Sequence, residues 1–529
     1  MKKIILLSVI LFLHLSLQAQ VPNTNLSNGN AFDGEPFLAV NPTNPQNVVV
    51  AWMGFSFSGI IRVSIKTKAS FDGGSSWSSV HVQQHGGATF HSADVSMCFR
   101  SDGTLYICFI DYRQNPDSGG IYVSKSPDGG LSWSTPVKAC DLSEDTIKKP
   151  IDRPWLISDN SSGSNKGMLY MTTKPPSWVP APNRPYFKTS SDSGQTWSSY
   201  RFVDTTGFLV GNSIQAPMAA LTTTSAGVLC MAYPSYVVAQ SIYPKMYLAK
   251  STNRGASFQY STLLNIPVGV QDTNLKNGYC LIADPGDPNK LTFASVNGQH
   301  GDADIFVSTT NNGGATWSNL VRVNDDSISN GKDQDLVWAS YNNTGNLAVT
   351  WRDRRNGTGT GFYQPCDIYA AVSHDNGATF LPNVLMSSLT VPFDSVLTHD
   401  GNDFMGSCLV GDTIYAAWSD VRSGKLNIYF AKASDSTGTS TGIVKISTED
   451  ITLINVFPDP AVNSFTVTLS SGGADGKLEI YDAAGRKIFQ KKNPEITEVV
   501  DCRKFSNGIY QVVFSSEEYT AEKKIMVVR

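Results

Sequence analysis

Residues 70–77 read SFDGGSSW and residues 126–133 read SPDGGLSW. The phrase returns as SSDSGQTW from Ser190, STNRGASF from Ser251, TNNGGATW from Thr310 and SHDNGATF from Ser373. A decayed seventh copy begins at Ser434, where IYFAKAS runs into DSTG. Successive first positions lie 56, 64, 61, 59, 63 and 61 residues apart, the period of a tandem supersecondary unit. An alternating strand such as IYVSKS, MYLAKS or DIYAAVS precedes each copy, and a hairpin pattern such as DVSMCFRSDGTLYICF lies further upstream. The unit is therefore four short antiparallel strands, A to D, with the phrase between C and D. Tandem units of this kind cover one another's apolar faces and build a β-propeller. Strand A starts fall near Glu35, Asp94, Arg153, Gln215, Gly278, Gln334 and Asn402.

Seven starts and seven phrases predict an all-β chain whose main part, residues 20–434, is a seven-bladed β-propeller. The segment VPNTNLSNGNAFDGEP repeats the pattern of LVRVNDDSISNGKDQD, a D strand with its following loop. Residues from about Val21 are thus expected to supply the outer strand of the last blade and remove an open edge. IVKIS at 443–447 competes for that place.

Each residue of the phrase has a turn to build. The Asp carboxylate accepts backbone N–H groups, Gly supplies a positive φ, and Ser or Thr ties the far end. The Trp or Phe offers an apolar face to pack between sheets. Drift to Asn253, Asn312, Phe258 and Phe380 suits a turn and not a catalytic group. Because strands alternate direction, the phrases share one face with the A–B turns. The D–A connections and B–C loops occupy the other face, where ligands are to be sought.

The 529 residues carry a net charge of -4 and no dense Lys/Arg run, which argues against nucleic acid and against an electrostatic membrane anchor. Met1–Ala19 has a basic start, an apolar run and a small-residue end, the pattern of a signal peptide, with no membrane-spanning segment after it. Eight cysteines are too few for a disulfide scaffold in an exported chain of this length. Cys98 and Cys108 flank the turn SDGT, so a cross-strand pair and two small core residues are both open readings.

The ends of strand B carry a second phrase, aromatic-x-Asp-x-Arg: FIDYR with Asp111 and Arg113, WRDRR with Asp353 and Arg355, WSDVR with Asp420 and Arg422. Strand A starts add Glu35, Asp94, Asp152, Arg153, Asp335 and Asp403, and His91, His300 and His399 fall in or near loops of the same face. Two readings stand. Asp and Arg brace their own loops, or they form one mouth that grips a sugar acid or performs acid–base work. The Asp/Asn clusters at 324–335 and 399–404 read as polar turns without the ligand spacing of a Ca²⁺ site, so neither metal nor cofactor is expected.

The repeated phrase over residues 21–434 resembles the Asp-box, or BNR repeat, of the sialidase superfamily. The resemblance implies a ligand site around the propeller axis and an activity on terminal, acidic sugars. Asp111 and Asp353 are then the acid/base candidates and Tyr363 the tyrosine. Arg113, Arg153, Arg355 and Arg422, with Asp420, are the substrate-binding set. The sialidase pattern is incomplete, since an Arg-Ile-Pro phrase is replaced by GEPFLAV and the propeller holds only Glu35 and Glu144 as glutamates. A non-catalytic propeller that binds glycan or protein is the alternative.

After a linker over 435–452, residues 453–529 alternate as short strands and predict a small Ig-like β-sandwich. Pro458–Ala461, Tyr481–Arg486 and Asn507–Tyr510 follow the landmarks of the type A sorting domain of the type IX secretion system. This resemblance implies that the type IX machinery is a partner and that the chain, expected to be a monomer, is secreted or attached to the outer membrane at the cell surface.

Overall fold

The computed structural model describes residues 20–29, 31–57, 59–180, 182–204, 219–235, 245–265, 278–391, 402–435, 454–457, 460–469, 476–482, 485–516 and 520–528. The expected signal peptide, nearly all of the linker, and IVKIS lie outside these residues. The chain divides into two compact units, Met1–Ser440 and Thr441–Arg529.

The first unit holds seven four-stranded antiparallel sheets among its described residues. Their innermost strands are Asp33–Asn41, His91–Phe99, Asp152–Ser158, Ala220–Thr223, Tyr279–Ala283, Gln334–Tyr341 and Gly406–Val410. Each touches the next, and the last touches the first, so the sheets follow one another in a closed cycle. Six sheets take their four strands consecutively from the chain. The seventh takes three strands from its end and the fourth, Asn23–Asn25, from its beginning, paired against Tyr429–Ala431. This is a propeller-like fold. Alternating apolar residues on each sheet pack against the neighbouring sheet, as where Val49, Ala51 and Ala69 of sheet 1 share a core with Met97, Leu105 and Ile107 of sheet 2.

The repeated phrase forms one turn six times over. In the first copy the Ser70 hydroxyl donates to Asp72 Oδ1 at 2.8 Å and accepts from Gly74 N at 2.8 Å. Asp72 in turn accepts from Ser76 N at 2.8 Å and from the Ser76 hydroxyl at 2.5 Å. Where Asn replaces Asp the ring of bonds survives, because Asn253 Oδ1 accepts from Ser257 N at 3.0 Å while its amide donates to the Ser257 hydroxyl at 2.8 Å. The turn needs an acceptor and not a charge.

The phrase also locks adjacent sheets. Trp77 meets Phe430 of the seventh sheet edge-on at 4.9 Å, and Phe258 meets Phe187 of the third at 5.7 Å. Gly74 has a φ of +81°, and a Cβ there would lie 2.4 Å from the Phe430 ring. Gly74→Ala is expected to cost about 2–4 kcal/mol, from left-handed backbone strain plus overpacking, read as a lower denaturation midpoint.

Cys98 and Cys108 do not pair, which settles the open reading. The register sets Cys98 opposite Tyr106 and Cys108 opposite Ser96, and all eight cysteines are free.

The second unit has a three-stranded sheet (Ile454–Phe457, Ser464–Leu469, Thr497–Asp501) and a four-stranded one (Lys487–Lys492, Lys477–Tyr481, Gly508–Ser515, Thr520–Val527). The two share a core that includes Phe465, Val467, Leu478, Ile480, Val512 and Phe514. Its landmark residues have structural work: Asp482 accepts from Arg486 N and Nε at 2.9 and 2.8 Å, and the Tyr510 hydroxyl donates to Ser506 O at 2.8 Å.

Candidate functional site

The repeated turns contact the A–B turns of their own sheet, as in Gly73 N to Gln46 O at 2.9 Å and Gly313 N to Asn289 O at 2.8 Å. The opposite strand ends carry a different recurring feature. In sheets 1, 2, 3 and 6 the pairing of the innermost strand slips between Gly34 and Phe37, Ala93 and Ser96, Asp152 and Trp155, and Asp335 and Trp338. Within these bulges Glu35, Asp94, Arg153 and Leu336 adopt φ values of 53°, 50°, 48° and 58°. A bulge re-aims a side chain, and a non-glycine residue in the left-handed region is strain that the surrounding sheet must hold.

Three of these residues, Glu35, Asp94 and Arg153, form one charged cluster with Asp152, Lys174 and Asp403. Arg153 is ion-paired with Asp403, and its backbone N–H donates to Asp94 Oδ2 at 3.0 Å. Lys174, buried, is ion-paired with Asp152. Beneath them lies an aromatic floor. Trp155 and Trp338 stack at 5.2 Å, Phe37 meets both edge-on, and Phe404 packs on Trp155 at 6.0 Å while the Arg153 guanidinium lies 5.2 Å above its ring. This apolar floor makes ionisation expensive. Burial, then the nearby Asp94 and Asp403, raise the Glu35 carboxyl well above its usual range, against the pull of Arg153. Burial and Asp94 push Asp152 up to about 7, against the Lys174 ammonium.

Above the cluster opens a cavity of about 900 Å³ whose lining includes Asp94, Asp152, Arg153, Lys174 and Asp403. Tyr112, Phe55 and Trp178 line it as well, the last two 44% and 60% exposed. A polar base with aromatic walls of this size suits a small polyhydroxylated ligand.

Of the acid/base candidates and the substrate-binding set, Arg153 alone lines this cavity, together with the strand-start residues Asp94, Asp152 and Asp403; the arginines do not converge. Arg355 turns back on Asp353, with Nε and Nη2 at 3.0 and 2.9 Å, and reaches Asp325 at 2.5 Å. Arg422 does the same on Asp420, with Nε at 2.7 Å, and also donates to Asn23 and Ser388. Both aspartates are buried and accept an indole N–H two residues back, from Trp351 at 2.8 Å and Trp418 at 3.2 Å. Asp353 with Arg355 and Asp420 with Arg422 brace their own loops, and none of the four lines the cavity. The reason is the spacing: Asp and Arg two residues apart at a strand end reach each other before they reach a ligand.

Asp111 is also buried and engaged, by His85, Gly86 and Ser92. Arg113 Nη1 lies 3.4 Å from the Thr89 hydroxyl. Tyr363 is 58% exposed and packs edge-on against Phe362, away from the cavity. Glu144 is held by Lys188 at 2.5 Å. In the cluster at 324–335, Arg322 takes Asp304 and Asp326 at 2.7 and 3.0 Å, so these carboxylates serve a guanidinium. His300 contacts the Phe306 ring, and His399 lies outside the described residues. Apart from Lys174, which ends a second strand, the charged residues that do form the site lie at strand A starts. That signal was present in the sequence as charged residues at five of the seven strand starts.

Residues 113–392 match the model of the BNR repeat-like domain. The chain belongs to the BNR repeat-like family. Residues 455–528 of this BNR repeat-like protein match the secretion system C-terminal sorting domain. The sorting domain directs the protein through the type IX secretion system, to be secreted or attached at the cell surface. No helix among the described residues is long and apolar enough to cross a membrane. No curated protein matches the chain.

Among solved structures, the BNR repeat-like protein is similar to a fungal alcohol oxidase of the AA5 family, with 12% identity and a TM-score of 0.47 over 97% of this chain and 100% of that one. It is also similar to the NanB sialidase of Streptococcus pneumoniae, with 11% identity and a TM-score of 0.39 over 79% and 70% of the two chains. A third similar structure is PorZ of Porphyromonas gingivalis, a surface component of the type IX secretion system, with 14% identity and a TM-score of 0.38 over 91% of this chain and 58% of that one.

Proposed function

We propose that the protein is a seven-bladed propeller with an Ig-like sorting module, and that the propeller is a cell-surface glycoside hydrolase acting on terminal sugars in the axial cavity. Seven four-stranded sheets in a closed cycle support the first part, and two sheets over one core support the second. The observation that carries the activity is the carboxyl cluster around Arg153. Asp152, with its proton affinity pushed up to about 7, is matched to donate a proton to a leaving oxygen near neutral pH. Asp403, ion-paired with Arg153, supplies the second carboxylate that glycoside hydrolysis requires. Neutral sugars fit this cavity better than acidic ones. Its two basal cations are each paired with an aspartate, and Glu35, Asp94, Asp152 and Asp403 outnumber them.

The test is the full chain on a panel of neutral and sialylated glycosides. Release from a neutral glycoside is expected, with activity falling as pH rises through about 7 and Asp152 loses its proton. No turnover on any substrate, with binding retained on a glycan array, sinks the hydrolase. It leaves the non-catalytic module, the reading that the self-paired Arg355 and Arg422 favour.

A further inference from the structure

The second strand of sheet 1, Asn44–Phe57, and the third, Ile61–Ser70, form a hairpin whose faces serve different cavities. Phe55 and Val63 line the axial cavity, whereas Ser56 and Ser64, one position on in each strand, line a separate cavity of about 440 Å³. There the Ser64 hydroxyl lies 2.7 Å from His85 Nε2, and His85 Nδ1 lies 2.7 Å from Asp111 Oδ1. Asp111 is fully buried and further held by Gly86 N at 2.6 Å and the Ser92 hydroxyl at 2.9 Å. A carboxylate held in this way accepts only, so the ring carries its proton on Nδ1. Nε2 is then left to accept from Ser64.

We propose that Ser64, His85 and Asp111 form a nucleophile–base–orienter triad for acyl transfer from O-acyl esters of sugars, a second activity independent of the axial cavity's chemistry. Such a triad is recognised by geometry and roles and not by chain order. Ser64 Oγ attacks the ester carbonyl carbon as its proton passes to His85 Nε2. The imidazolium, held by Asp111, then protonates the leaving sugar oxygen as the C–O bond breaks, giving an acyl-Ser64 enzyme. Water, deprotonated by His85, attacks the acyl carbon, and the carboxylic acid leaves as the proton returns to Ser64.

A further residue of the cavity fits the role of oxyanion donor. Gln83 is 3% exposed, lines the cavity, and its Nε2 has no protein partner. The loop carrying His85 is clamped by Arg62 Nη1, which donates to Ala88 O at 2.9 Å. Ser64 sits at the cavity floor under the Ser56 hydroxyl, 2.6 Å away, so substrate entry needs a rotamer change at Ser56. The two cavities flank one hairpin, which places ester removal beside a sugar-sized site.

The test treats the full chain with a fluorophosphonate reagent and maps the modified peptide by mass. It also measures hydrolysis of p-nitrophenyl acetate and peracetylated glucose. Expected are modification at Ser64 and ester hydrolysis, both absent in Ser64→Ala and reduced roughly 100-fold or more in His85→Gln. Mapping on the unaltered protein decides the matter even where a variant fails to fold. No modification of Ser64, modification at Ser56 instead, or labelling indifferent to His85 overturns the proposal and leaves the network a polar brace.

Discussion

Asp152→Asn is expected to lower glycoside turnover at pH 7 by roughly 10²–10⁴-fold, the usual contribution of a positioned proton donor. The amide preserves the shape of the side chain and an oxygen for Lys174, but has no acidic proton to give. Under the proposed function the unaltered protein works with Asp152 protonated, so its activity is expected to hold below about 7 and to fall above it. The residual activity of the variant lacks that fall. Initial rates across pH 5–9, with the melting temperature measured in parallel, separate loss of the proton donor from loss of the fold. An alkaline limb unchanged in the variant would remove Asp152 from the chemistry.

Asp335→Ala is expected to be the most damaging single change to stability, costing about 3–5 kcal/mol at pH 7. Arg352 grips Asp335 in a bidentate pair, with Nε and Nη2 at 2.7 and 2.6 Å, and Arg354 adds Nη1 at 3.1 Å. All three side chains are no more than 3% exposed. Removing the carboxylate leaves two guanidiniums buried without their counter-charge, and the desolvation cost of both remains. Burial alone raises the Asp335 carboxyl, but the two guanidiniums outweigh it and hold it well below the usual range. A depressed folded value stabilises fully above the unfolded value of about 3.9 and progressively less as pH falls below it. The deficit of the variant should therefore be complete at pH 7 and shrink below about pH 4. Denaturant titrations at pH 7 and pH 3 measure both, and a deficit under about 1 kcal/mol at pH 7 would contradict the argument.

Asp335 also marks where sequence reading met its limit. WRDRR presents Asp353 and Arg355 as the conspicuous pair, and the structure makes that pair a brace within one loop. Arg352 and Arg354, the alternate positions at the end of Leu347–Asp353, reach across to the preceding strand because the two-residue period points them together toward Asp335. Periodicity was legible in the letters, but which of two interleaved charge sets turned inward was not.

The same division runs through the sites. Charged residues at Glu35, Asp94, Asp152, Arg153 and Asp403 were visible as strand starts facing the axis. Their convergence depends on bulges and left-handed residues at Glu35, Asp94 and Arg153, and those conformations arise from sheet pairing and not from a local glycine signal. His85 carried no motif at all; it meets Ser64 and Asp111 only because the fourth strand of one sheet leads into the first strand of the next.

By itself the sequence determined the repeat, the β class, the turn chemistry of SFDGGSSW and its copies, and the sorting module. Each is set by residues within a few positions of one another, where backbone geometry and hydrogen-bonding capacity leave few alternatives. Tertiary structure alone decided which carboxylates gather around Arg153, which arginines are already paired, and which serine faces a histidine. Those outcomes depend on burial and on distances between residues tens to hundreds of positions apart, which no local pattern encodes.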